Sequence, residues 1–198
     1  MKTFLNRTTL SAWLPWCLLF AITAVLHVSG AYPSLRLDLA VTDSHWLYTS
    51  FTCHLVHITT HHWLYNSLAL LVIAFIFRPQ FNWLYFSLTY AIAAISISTG
   101  LLWFPHGLHS YAGLSGVLHG YFAMGCLLLY SQHARLATGL GLLLLLKLIV
   151  EFFIGSVFIA HPGFAIAHSA HVYGVLGGLL SWLVYSATRR LRAERRVA

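Results

Sequence analysis

The sequence predicts an all-α, polytopic membrane protein of six transmembrane helices, and three observations predict it. First, of 198 residues 59% are hydrophobic and only 8% are charged, a balance foreign to soluble domains. Second, a hydrocarbon core ~30 Å thick requires about 20 apolar residues per helix. Six stretches of about that length follow one another, at about 11–31, 57–77, 82–104, 112–130, 136–159 and 166–187, before a basic tail at 188–198. Third, the basic residues alternate with these spans. With the N-terminus inside, Lys2, Arg7, Arg78, Arg135, Arg189, Arg190, Arg192, Arg195 and Arg196 fall on the cytoplasmic side and only Arg36 outside, with Lys147 left inside a span. That imbalance is the positive-inside signature. The formal charge of +7 therefore reports topology. Nucleic acid is not an expected partner; the lipid bilayer is. Residues 1–198 read as a single membrane domain.

The first span, "LSAWLPWCLLFAITAVLHVSGA", follows Lys2 and Arg7 and ends in Val28-Ser29-Gly30-Ala31, which looks like a signal-peptide cleavage site. Its apolar run is longer than the hydrophobic region of such a peptide, so a retained helix is the expectation. Cys17, Cys53 and Cys126 have neither paired nor metal-ligand spacing, which argues against a disulfide framework. The histidines are lopsided. Only His133 falls near the cytoplasmic side, whereas His45, His54, His57, His61, His62, His106, His109, His119, His161, His168 and His171 lie toward the outside. Ionisable residues are costly in and near hydrocarbon and mark functional sites there, so a polar site near the outer face is expected.

Three outer helix ends carry the chemistry. Ser115 opens the fourth span, with Gly116 and Gly120 running down the same face; His171 opens the sixth, with Gly174 and Gly178 repeating the pattern. Small residues four apart allow two helix backbones to approach closely, which is the condition for a serine and a histidine on different helices to meet. The local sequence "GLSGV" is not the nucleophile elbow of soluble hydrolases, because Val117 stands where that motif needs glycine. On the second span His62 and Asn66 are four apart and share a face. Both can donate to a developing oxyanion, a contribution of roughly 3 kcal/mol per donor in a soluble protease.

Together these residues resemble the rhomboid family of intramembrane serine proteases, over about residues 48–185 and including the order of the spans. The elements are Gly113-Leu114-Ser115-Gly116 on the fourth span, His171 followed by Gly174 and Gly178 on the sixth, and His62-x-x-x-Asn66 on the second with His57 five residues earlier. The resemblance implies a six-helix rhomboid bundle and an endopeptidase in which Ser115 is the nucleophile and His171 its base. The Ser115 N–H, His62 and Asn66 would hold the oxyanion, with no cofactor and no metal. It also implies a Ser–His dyad without an acidic third member. Of the four acidic residues, Asp38, Asp43, Glu151 and Glu194, none stands beside His171 by sequence.

Two departures refine the resemblance. Tyr48-Thr49 occupies the place where many rhomboids have Trp-Arg, and His119 replaces a tyrosine that stacks on the catalytic histidine. The combination "GLSGVLHG", "HLVH" and small size is similar to the rhombosortase branch, whose members process C-terminal Gly-Gly sorting signals ahead of a transmembrane helix and a basic tail. The implied partners are transmembrane or C-terminally membrane-anchored proteins. The implied location is the bacterial inner membrane, with both termini cytoplasmic and the site facing the periplasm. A Gly pair also has a physical use, because each Gly disfavours helix by about 1 kcal/mol relative to Ala and so eases unwinding of a helical substrate.

Two rival readings come from other classes. His54, His57 and His61, at i, i+3 and i+7 of a helix, would share a face and suit a membrane metal or haem protein. A catalytically inactive rhomboid-like protein that binds helices is the other, against which both Ser115 and His171 are retained. Lys147 and Glu151 lie four apart inside the fifth span, either as a mutual salt bridge or as a polar anchor to a neighbouring helix or substrate.

Overall fold

The computed structural model of the chain describes residues 7–40, 44–104, 108–155 and 167–194. Lys2, Asp43, His106, His161, Arg195, Arg196, residue 166 and the stretch 156–159 lie outside the described residues. Among the described residues, eight α-helices follow in order: α1 (Arg7–Val28), α2 (Tyr32–Leu35), α3 (Trp46–Thr52), α4 (Thr60–Phe77), α5 (Trp83–Trp103), α6 (Ser115–Tyr130), α7 (Ala134–Ile154) and α8 (His168–Glu194). Segments of α1, α5, α7 and α8, and the stretch Thr60–Gln80 that contains α4, are long and apolar enough to cross a membrane, whereas α6 is a shorter apolar helix. The protein is an all-α polytopic membrane protein.

Helix starts differ from the spans read off the apolar runs, for identifiable reasons. Thr59 has extended backbone and its side chain accepts the His62 N–H at 3.1 Å, so α4 begins at Thr60 and not near 57. His54 consequently sits on a 3-10 turn, Cys53–Leu55, and His57 in irregular chain. The helix face that the metal or haem reading required from His54, His57 and His61 does not exist. Asn82 caps α5 in the same way as Thr59 caps α4, accepting the Tyr85 N–H at 2.9 Å.

Helix α6 begins at Ser115 and not at 112, because Gly113 adopts φ +129°, a conformation L-residues rarely take. At 16 residues, α6 is about 24 Å long, short of the ~30 Å core. Its last turn passes through Ser131–His133 directly into α7.

Helix α6 is also the centre of the bundle, with Gly116, Val117, Leu118, Gly120, Tyr121 and Met124 among its buried residues. The glycine faces of α6 and α8 meet. A Cβ on Gly178 would come within 3.0 Å of the Gly120 Cα, and one on Gly120 within 2.9 Å of the Gly174 carbonyl oxygen. Trp16 docks α1 onto the core, packing edge-on to Phe81 and Phe86. Helix α7 is the exception: Ala137 is its only buried residue, and Leu142, Leu143, Leu145 and Leu146 are exposed, as suits contact with hydrocarbon.

The first loop is tied to the approach of α6. Strand β1 (Leu37–Asp38) pairs antiparallel with β2 (Ser110–Tyr111), Leu37 opposite Tyr111. Helix α3 buries Thr49 and Ser50 against α5, where Ser98 donates to the Ser50 carbonyl at 2.9 Å, and turns Trp46, Leu47, Tyr48 and Phe51 outward. Such an apolar outer face fits the membrane interface.

Candidate active site

Ser115 is the first residue of α6 and His171 lies on the first turn of α8. The close glycine contact one turn further along brings Ser115 Oγ to 3.0 Å from His171 Nε2. His171 is 6% exposed. Its other nitrogen, Nδ1, stands 2.8 Å from Glu151 Oε2. The expectation that no acidic residue stands beside His171 is therefore corrected. Periodicity gives the depth of a side chain in a span but not the rotation of one helix toward another, and α7 is turned so that its polar pair enters the site.

Lys147 Nζ joins Glu151 Oε1 at 2.7 Å and His119 Nε2 at 2.5 Å. Both readings of the Lys147–Glu151 pair thus apply, since the two bind each other and also anchor α7 to α6 and α8. His119 stacks on His171 with ring centroids 4.2 Å apart and planes inclined by 16°. Its Nδ1 is 2.7 Å from the Ser115 carbonyl oxygen. A carbonyl only accepts, so Nδ1 carries the hydrogen; an ammonium only donates, so Nε2 carries the lone pair. The His119 ring is neutral with its tautomer fixed at both ends.

Across a cavity of about 500 Å³ from this cluster lie His62, Tyr65 and Asn66 of α4. Asn66 Nδ2 donates to the His62 carbonyl at 2.8 Å, and the amide has a second hydrogen to give. The His62 ring lies against the Gly113 backbone, where a Cβ would sit 2.5 Å from its Cε1. Gly113 is needed for this close approach as well as for its φ. His57 meets His62 edge-on, centroids 5.1 Å apart. Neither ring nitrogen of His57 has a hydrogen-bond partner, and burial, then the neighbouring His62 and His27, push its pKa down to about 3, so it is a neutral packing group. His54 Nε2 donates to the Ala94 carbonyl at 3.3 Å, and burial lowers its pKa to about 4.

His119, Glu151 and His171 each offer a ligand atom, all within 4.8 Å of one another. The Lys147 ammonium already bridges His119 and Glu151, so a divalent ion would have to displace a resident cation. Sequence reasoning missed Lys147 and Glu151 as site residues. It also missed Tyr111, whose hydroxyl donates to the Gly113 carbonyl at 3.1 Å and braces the turn before Ser115. The available signal was a charge pair at i, i+4 inside a span that otherwise faces lipid.

A bundle of apolar helices enclosing a hydroxyl, an imidazole and an ion pair around one cavity defines a polytopic membrane protein with a polar site sunk below its surface. The Rhomboid domain family model matches residues 44–188, which takes in α3 to α8 as far as Thr188. The chain belongs to the rhomboid family, a family of intramembrane proteases. Comparison with curated proteins finds no match for it.

Proposed function

We propose that this protein is an intramembrane serine endopeptidase with Ser115 as nucleophile and His171 as general base, and that it is a rhombosortase. The 3.0 Å contact between Ser115 Oγ and His171 Nε2, at the edge of a cavity lined by α4, α6, α7 and α8, carries the proposal. His171 Nε2 takes the Oγ proton as Oγ bonds to the substrate carbonyl carbon. The resulting oxyanion is met by the Ser115 N–H at the start of α6, where the helix dipole is positive, and by donors from Asn66 and His62. Collapse expels the amine, which leaves with the proton from His171. Water or another nucleophile then opens the acyl-enzyme.

The substrate is a transmembrane or C-terminally membrane-anchored protein. Its scissile bond must leave helix hydrogen bonding before it can reach Ser115, and a Gly-Gly signal lowers that cost. The alternation of basic residues with the apolar spans supports a site toward the periplasmic half of a bacterial inner membrane, with both termini cytoplasmic. Co-expression with Gly-Gly-tailed substrates, followed by mass spectrometry of their new C-termini, tests this. The expected result is cleavage at the signal by the wild type and none by Ser115→Ala that remains folded in detergent. Wild-type protein that binds such substrates without cutting them would favour the helix-binding reading.

A further inference from the structure

We infer that Glu151 is the third member of a Ser115–His171–Glu151 triad, a positioning residue whose need is created by its own neighbour Lys147. The inference rests on the protease reading and departs from the dyad that the resemblance implies. A base must present an unprotonated Nε2 to Ser115, so the imidazole hydrogen must sit on Nδ1. Two groups compete for Nδ1: Glu151 Oε2 at 2.8 Å, which can only accept, and Lys147 Nζ at 3.3 Å, which can only donate. Glu151 holds the hydrogen on Nδ1 and so arms Nε2. Without it the Lys147 ammonium would donate to Nδ1, force the hydrogen onto Nε2 and turn the base into a group that cannot take the serine proton.

Lys147 has its own purpose in this arrangement. It balances the Glu151 charge within hydrocarbon, and it fixes His119, the ring stacked on His171. Throughout the reaction the hydrogen stays on Nδ1 and Glu151 stays ionised, stabilising the imidazolium that forms when Nε2 is protonated.

The consequence is a particular non-additivity. In Glu151→Gln, Lys147 orients the amide by claiming its oxygen, which leaves the NH₂ to donate to Nδ1 and select the inactive tautomer. Glu151→Gln therefore lowers kcat by about 10³- to 10⁴-fold with KM unchanged. Lys147→Met in the same chain frees the amide to turn its oxygen to Nδ1, and the double variant recovers kcat at least about tenfold over Glu151→Gln. A merely structural role predicts a double variant no better than the single.

The experiment is cleavage kinetics in liposomes for these variants beside Ser115→Ala, with ¹⁵N-histidine NMR of the Ser115→Ala protein with and without Glu151→Gln. The NMR reads the tautomer without turnover and is expected to place the His171 hydrogen on Nδ1 with Glu151 and on Nε2 with Gln. A Glu151→Gln enzyme at wild-type kcat, a double variant as inactive as the single, or an unchanged tautomer overturns the triad. Cleavage surviving Ser115→Ala overturns instead the protease reading beneath it.

Discussion

Replacing Gly174 by alanine tests whether helix spacing sets the chemistry. The added Cβ would lie 2.7 Å from the Gly116 carbonyl carbon and 3.2 Å from its Cα, with the carbonyl oxygen closer still. Ordinary carbon contacts begin near 3.5 Å, so α8 must retreat from α6 by about 0.8 Å or more. Gly116 follows Ser115 directly and Gly174 lies one turn beyond His171, so the retreat is felt in full at the pair. The 3.0 Å contact of Ser115 Oγ with His171 Nε2 opens to about 4 Å, outside the reach of proton transfer. Misplacement by about 1 Å costs on the order of 10²-fold in rate, equivalent to about 2.7 kcal/mol of barrier.

The assay is kcat for cleavage in liposomes together with the thermal unfolding midpoint in detergent. Gly139→Ala is the control, because nothing lies within 4 Å of a Cβ at that position and alanine favours the helix by about 1 kcal/mol. It should keep kcat and hold or raise the midpoint. Gly174→Ala protein that cuts at the wild-type rate would refute the argument that the close glycine contact assembles the site.

Two further expectations follow from the same geometry. Asn66→Ala removes a proposed oxyanion donor but neither of the proposed reacting groups, so kcat should fall by about 10²- to 10³-fold while His171→Ala leaves almost nothing; equal and negligible effects in the same cleavage assay would remove both roles. His119→Phe keeps a ring against His171 and should retain measurable activity, as should His119→Tyr, whereas His119→Ala loses the stack and should fall further. Full activity of His119→Ala across pH 6 to 8 would show that the ring supports nothing.

The sequence made some levels of this structure legible and left others hidden, and the division is physical. Apolar runs report which segments lie in hydrocarbon, so the all-α membrane class could be read directly. The Gly-x-x-x-Gly faces beside Ser115 and His171 carried three-dimensional information, because close backbone approach leaves a residue-type signature. Helix starts were less legible, although "ITTHH" held the cap: Thr59 is an N-cap type of residue, and weighing it would have removed His54 and His57 from the helix. Glu151 could not be placed at His171, because a helix that faces lipid on most sides has no hydrophobic stripe to reveal its rotation. Its i, i+4 partner Lys147 was visible, but the triangle they form with His119 and His171 depends on three helices at once.

The light packing of α7 has a consequence for how the protein behaves in different surroundings. A helix buried only at Ala137 holds its Lys147 and Glu151 to the site through charges and hydrogen bonds, and Coulomb attraction scales inversely with the local dielectric constant. Hydrocarbon strengthens the Lys147–Glu151–His171 attachment, whereas water admitted by a loose micelle weakens it. Buried apolar contacts such as those of Trp16 depend far less on that setting. Solvent quality at one helix thus becomes a determinant of imidazole alignment, and the same polypeptide can be well folded in two lipidic media while its histidine is held firmly in only one of them.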